Sequence, residues 1–198
     1  ADAQALRLAN RLAGNSDQAA GLEMLMLGPM LRFSQAANIV LAGADMSAKV
    51  DGRPLRTYQS CMLAPGAVLE FGRVNSGLRA YLAVSGGIDV PLVLGSRSTF
   101  LPGGWGGWHG RALRAGDILP VGIPGGAASS AKQSCNGVTQ MAHTQLRVLA
   151  GPQIAGFSDA ALSGFLQMPY AVHAQANRVG LRLTGPVLTY LGGELPSQ

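Results

Sequence analysis

The sequence predicts a mainly β chain: a β-barrel domain entered through one short helix, followed by part of a second β-rich domain. Three observations carry this. Short apolar runs alternate with turns built on Gly and Pro over most of the length. A helical period occurs only near the start and again after Ser158. The form L-x-x-G-x-x-L occurs twice, at 63–69 and 113–119, with Gly at the residue where a tight turn needs a positive φ.

The elements follow in order. Leu8 and Leu12 lie one helical turn apart, and Ala5, Ala9 and Ala13 recur every fourth residue, so an amphipathic helix starts behind Asp2 as N-cap and stops at Gly14-Asn15. Apolar runs at 22–27 and 38–42 read as strands. Asp51-Gly52 sits where a tight hairpin should turn. Residues 61–63 and 68–71 read as strand, turn, strand around Pro65-Gly66. Residues 78–84 form the strongest strand pattern, with Tyr81 and Val84 among its best β-formers. Residues 113–121 read as a further strand pair around Gly116. The two L-x-x-G-x-x-L segments are taken as hairpins of one barrel, although unrelated hairpins share that form.

Composition changes at Ile123-Pro124-Gly125-Gly126, where small flexible residues begin. This places a first domain at 1–122, a flexible linker at 123–143 and part of a second domain at 144–198. In the second domain 146–149, 181–183 and 187–190 read as strands. Ser158 caps a short helix, with Asp159 in its first turn and Met168-Pro169 at its end. These elements are too few to close a barrel of the usual ~8 strands, so the chain is expected to be a fragment or to be completed by another element.

Charge excludes several function classes. The net charge is +5, but the cations Arg7, Arg11, Arg32, Arg53, Arg56, Arg73 and Arg79 are scattered singly, without the aromatic interleaving of a nucleic-acid surface. The excess comes from scarce acids and fits a small anionic substrate. Charged residues are only 13% of the chain, which points to an extensive partner interface. Cys61 and Cys135, and His109, His143 and His173, are dispersed, so free thiols in a reducing compartment and no metal site are expected. No apolar stretch approaches the ~20 residues of a membrane span, and no secretory signal is evident. These features suit a cytoplasmic protein.

Chemistry concentrates in residues 77–110, which are rich in Gly and poor in charge. Gly86-Gly87 would let backbone amides approach an anion. Gly95-Ser96-Arg97-Ser98-Thr99 adds a guanidinium whose planar fork suits a carboxylate or phosphate. Arg97 could instead cap carbonyl groups, or pair with Asp89. Trp105 and Trp108 flank Gly106-Gly107 as a lid, an interface anchor or a core plug, and His109 beside them is an acid–base or a structural residue. Arg178, in Asn177-Arg178-Val179-Gly180, is the second cationic candidate. No G-x-x-x-x-G-K-[ST] or G-x-S-x-G motif occurs, and no Met-Lys biotin site. Ser129, Ser130 and Lys132 lie in a flexible Ala-rich setting that does not suit a Ser-Ser-Lys amidase.

Several blocks resemble one known family. They are residues 6–15, then 77–91, then Leu94-Gly95-Ser96-Arg97-Ser98-Thr99, then Gly110-Arg111-Ala112-Leu113 with Ala115-Gly116-Asp117. Gly151-Pro152-Gln153, Phe165-Leu166, Asn177-Arg178-Val179-Gly180 and Leu183-Thr184-Gly185-Pro186 continue the pattern. The chain is identified as a member of the allophanate hydrolase subunit 2 family, also called KipA, the 5-oxoprolinase C-type subunit or biotin-dependent carboxyltransferase domain. The resemblance implies a cyclophilin-like β-barrel and a subunit 1 (KipI-like) partner. It implies one of two activities. One is ATP-dependent opening of 5-oxoproline to glutamate in a complex with further subunits, the A-type subunit of 5-oxoprolinase among them. The other is carboxyl transfer from a partner's carboxybiotin to a urea-like amide. A non-catalytic role, sequestering a KipI-like kinase inhibitor, belongs to the same family. The resemblance also implies ATP at the level of the complex and no covalently bound cofactor. Substrate binding is expected at Arg97, Gly86, Gly87, Ser96, Ser98 and Arg178; catalytic residues are not assigned. Family members extend further at both ends, and an acid often follows Gly-Pro-Gln where this chain has Ile154-Ala155-Gly156.

Overall fold

A computed structural model describes residues 2–125, 145, 147–176 and 180–193. The chain divides into two compact units, Ala1–Met141 and Ala142–Gln198. Of the expected linker, residues 126–143 lie outside the described residues, as do Arg178, Cys135, His143, Ser129, Ser130 and Lys132.

The first unit opens with helix α1 (Ala3–Leu12). The Asp2 carboxylate accepts the amides of Gln4 and Ala5 at 3.1 and 3.0 Å, satisfying donors that a helix start leaves free. Eight strands follow: β1 (Leu22–Leu25), β2 (Leu31–Arg32), β3 (Ala37–Asp45), β4 (Lys49–Val50), β5 (Arg53–Pro54), β6 (Ser60–Leu63), β7 (Val68–Glu70) and β8 (Ser76–Val84). They form two four-stranded sheets, ordered β1-β8-β3-β6 and β2-β7-β4-β5, with every pairing antiparallel. The β4–β5 turn is the expected Asp-Gly hairpin: Asp51 and Gly52 hold φ of 48° and 77°, both left-handed as that tight turn requires.

Strands β3 and β8 explain why their sequences read as continuous apolar runs. Ile39, Leu41, Leu82 and Val84 face a core that also takes Leu63 and Leu69. Val40, Ala42, Tyr81 and Ala83 face the other way, against Ala5, Ala9 and Ala13 of α1. Both faces are covered, so neither alternates with polar residues. The alanines at every fourth helical position let helix and sheet approach closely. A register shift between Gly43 and Asp45 interrupts β3. Before it odd-numbered residues face the larger core, and after it Ala44, Met46 and Ala48 do. One extra residue thus inverts the parity of the strand. Gly43 has φ 90°, and a Cβ there would strike the Arg79 carbonyl oxygen, so the bulge needs glycine.

The second unit holds a 3-10 turn (Ile154–Gly156), helix α2 (Asp159–Gln167) and the paired strands β9 (Ala171–Val172) and β10 (Leu183–Thr184). The Ser158 hydroxyl accepts the Ala161 amide at 3.2 Å, and Met168 ends the helix, as the sequence predicts. Phe157 and Tyr190 meet with ring centroids 5.0 Å apart.

The structure corrects three expectations. Strands β6 and β7 flank Pro65-Gly66 but belong to different sheets, so 63–69 is a crossover between layers and not a hairpin. Residues 113–121 form no strand pair: the Asp117 carboxylate accepts the Arg114 amide at 2.7 Å, closing the turn through a side chain. Neither 147–149 nor 187–190 is a strand, although Tyr190 makes a single bridge to Phe157. The described residues show two four-stranded sheets and one two-stranded sheet, and none of the three closes on itself.

Candidate functional site

Strand β8 ends at Val84, and the chain turns through Gly86-Gly87 into the segment that carries the site candidates. The Gly86 amide donates to the Asn15 Oδ1 at 2.8 Å and the Gly87 amide to the Val84 carbonyl at 2.8 Å. Both donors are therefore committed inside the chain, and the anion cradle expected of them is not what these amides form. The need for glycine has another cause. The segment around Val121 pairs against this turn, with Asp89 donating to Pro120 at 2.9 Å and Gly122 to Gly87 at 2.9 Å. A Cβ on Gly86 would run into the Gly122 carbonyl.

Beyond Val90 the chain forms a two-residue hairpin. Val93 and Ser96 exchange hydrogen bonds at 2.8 and 3.0 Å, and the central Leu94 and Gly95 have φ of 50° and 75°. A leucine in the left-handed region is strained, and Leu94 is 88% exposed at the tip. The half-buried Arg97 donates through Nε to the Val90 carbonyl at 2.9 Å. That bond ties the two ends of the hairpin and leaves the terminal guanidinium nitrogens free of other partners among the described residues. The alternative pair with Asp89 does not form. Ser96 Oγ accepts the Ser98 amide at 3.1 Å, so these two hydroxyl residues shape the backbone around Arg97.

The Gly-rich loop packs back on this hairpin. Phe100 and Trp105 bridge across a tight turn with ring centroids 5.1 Å apart. Gly106 lies against the Ser98 carbonyl and Gly107 against the Thr99 side chain, closely enough that neither admits a Cβ. Arg97, Ser98, Thr99, Gly106 and Gly107 are thus brought together. Trp108 is partly buried and meets His109 edge-on at 4.6 Å; His109 itself is exposed with φ 54°.

Two arrangements escape the sequence reading. Arg111 grips Asp117 with both terminal nitrogens, each at 2.7 Å. The Arg111 guanidinium and then the Arg114 amide hold the Asp117 carboxyl far below the usual carboxylate range. The R-x5-D spacing around a turn glycine is the signal that could have found it. The second is the fully buried Asn10, which donates to the Ala19 carbonyl at 2.9 Å and accepts from Asn15 at 3.2 Å. Asn15 also donates to the Val84 carbonyl at 2.7 Å, so the helix end and the Gly86 turn share one polar network.

With this geometry in view, comparisons with known proteins place the chain. A profile of the carboxyltransferase domain, subdomains A and B, matches residues 1–198. The protein belongs to this carboxyltransferase domain family. It is 37% identical to the C-type subunit of 5-oxoprolinase from Escherichia coli K12 over 94% of this chain and 59% of that protein. It is 34% identical to the urea amidolyase of Saccharomyces cerevisiae over 93% of this chain and 11% of that one. The crystal structure of the Kluyveromyces lactis urea amidolyase superposes with a TM-score of 0.77 at 32% identity, covering 94% of this chain and 12% of that one. The chain thus spans about three-fifths or less of the curated relatives it matches.

Proposed function

We propose that this chain is one component of an ATP-dependent 5-oxoprolinase-type complex that opens the cyclic amide of 5-oxoproline to glutamate. The observation that carries this reading is the 37% identity to a 5-oxoprolinase C-type subunit along nearly the whole chain. The reading includes a KipI-like subunit 1 and the A-type subunit of 5-oxoprolinase as partners. It also includes a cytoplasmic setting, and a first unit whose two sheets correspond to a cyclophilin-like barrel.

In this reading Arg97 binds the substrate carboxylate or a phosphoryl oxygen. Its Nε is anchored on Val90, which fixes the plane of the guanidinium, and its two terminal nitrogens remain to grip an anion as a fork. Ser96 and Ser98 support it, while Gly86 and Gly87 act through the turn they allow. Arg178 keeps its role as a second cationic candidate. ATP belongs to this reading at the level of the complex, and the Gly86 and Gly87 amides, already bonded within the chain, are not donors for its phosphates.

The urea amidolyase relatives favour a second reading, in which the chain accepts a carboxyl group from a partner's carboxybiotin and passes it to a urea-like amide. A KipA-like binding role would use the same fold and partner. Reconstitution with the KipI-like and A-type partners, assayed for 5-oxoproline-dependent ATP hydrolysis, separates the three. Turnover that requires this chain supports the first reading. Partner binding without turnover favours the binding role, and consumption of carboxybiotin with urea favours carboxyl transfer.

A further inference from the structure

Asp117 is a hub. One of its oxygens accepts from Arg111 at 2.7 Å, and the other accepts from Arg111 and from the Arg114 amide, each at 2.7 Å. A carboxylate offers about four lone-pair sites, so one acceptor position is left. The Trp108 indole N–H is buried and has no partner at good hydrogen-bond geometry. A buried donor without an acceptor is costly, so the packing of Trp108 depends on how the loop around it is held. The loop that carries Trp108 is joined to the Asp117 partner by its backbone, since the Arg111 amide follows Trp108 by three residues and donates to its carbonyl.

The hub reaches the Arg97 hairpin through short links. The Arg111 amide donates to the Trp108 carbonyl at 3.3 Å and the Gly110 amide to Gly106 at 2.9 Å. Gly106 and Gly107 then press on Ser98 and Thr99, next to Arg97. Gly104, Gly106, Gly107 and Gly110 are free to adopt other backbone shapes at small cost, and His109 is held in a left-handed conformation that costs energy, so something must select this loop's shape.

We propose that Asp117 is a positioning residue: by binding both ends of the Arg111 guanidinium and the Arg114 amide on one carboxylate, it pins the segment that closes the 103–110 loop, sets that loop against Ser98 and Thr99 and so holds Arg97 ready for an anionic substrate. Substrate binding here rests on the function proposed above; the hold of Asp117 on the loop does not. Asp117 acts through Arg111 and the loop on Arg97.

The test has two readouts. The first uses Trp105→Phe, which keeps a ring against Phe100 and leaves Trp108 as the sole indole. In that background Asp117→Asn should shift the Trp108 emission to the red and raise its quenching by acrylamide, and Asp117→Glu should restore part of the shift. Unchanged emission and quenching would overturn the loop clause, whatever the activity. The second readout is the reconstituted complex. There Asp117→Asn should raise KM for 5-oxoproline about tenfold with kcat changed less, at a temperature where circular dichroism shows the variant folded. A shifted emission with unchanged KM and kcat per folded molecule would make Asp117 merely structural and overturn the positioning role. If the unsubstituted complex shows no turnover, the proposed function fails; binding of 5-oxoproline to the complex, compared between the unsubstituted chain and Asp117→Asn, then decides positioning, and equal or absent binding rejects it.

Discussion

The two units of this chain are built from the same kinds of residue, yet they differ in what they bury. In the first, β3 and β8 bury residues on both faces, and Ile39, Val40, Ala42 and Leu82 are fully enclosed. In the second, no described residue is buried: Leu149 is 98% exposed and Val187 92%. Its elements form all the same. Ser158 caps α2, β9 pairs with β10, and Phe157 stacks on Tyr190. Local signals such as caps decide where these elements start and stop, whereas a dry core needs several strands to face one another. The described residues of the second unit supply one helix and one two-stranded ladder.

Substitutions can sharpen this contrast. Leu82→Ala should cost most, roughly 2–5 kcal/mol of unfolding free energy, because the side chain is fully enclosed in the larger core. Urea denaturation would measure it, and a loss below ~1 kcal/mol would mean the first unit is not the stable half. Asn10→Ala should follow at roughly 1–3 kcal/mol, since it leaves Asn15 and the Ala19 carbonyl without their buried partner. Leu166→Ala, in the exposed stripe of α2, should change the isolated chain by less than ~0.5 kcal/mol. A larger effect there would show that the second unit has a core of its own.

Acid tests the first unit through charge. Asp117 has its carboxyl held low by Arg111, and Asp17 by Arg11. Such groups stabilise the fold above the unfolded carboxylate value of about 4 and lose that contribution as pH falls toward the folded value. Thermal midpoints should therefore drop as pH falls below about 4. Asp117→Asn should flatten part of that drop while lowering the midpoint at pH 7. An equal slope with and without Asp117 would refute the assignment.

How much of this is legible in the sequence differs by kind of signal. The Asp2 and Ser158 caps, the Asp51-Gly52 hairpin and the long β8 are readable because each is decided within a few residues. The sheet change at 63–69 is not, because Pro65-Gly66 makes a turn equally well within one sheet or between two. The pattern around Gly116 suggests a strand pair, yet the Asp117 side chain, not a ladder, closes that turn. For the site, the Arg97 segment is visible as a cation among small residues. The fate of the Gly86 and Gly87 amides is not, since only the folded chain brings Asn15 to Gly86. Trp108 and Asp117 lie nine residues apart in sequence, and nothing local links the loop of the one to the carboxylate of the other.

The most direct measurement is Arg97→Lys in the reconstituted complex. Lysine keeps the charge but loses both the fork and the Nε anchor on Val90. The variant should melt within a degree or two of the unsubstituted chain and lose roughly 1–3 kcal/mol of transition-state interaction, about five- to 150-fold in kcat/KM for 5-oxoproline. A clearly lower melting temperature with unchanged activity per folded molecule would instead make Arg97 a staple of its hairpin and contradict the account.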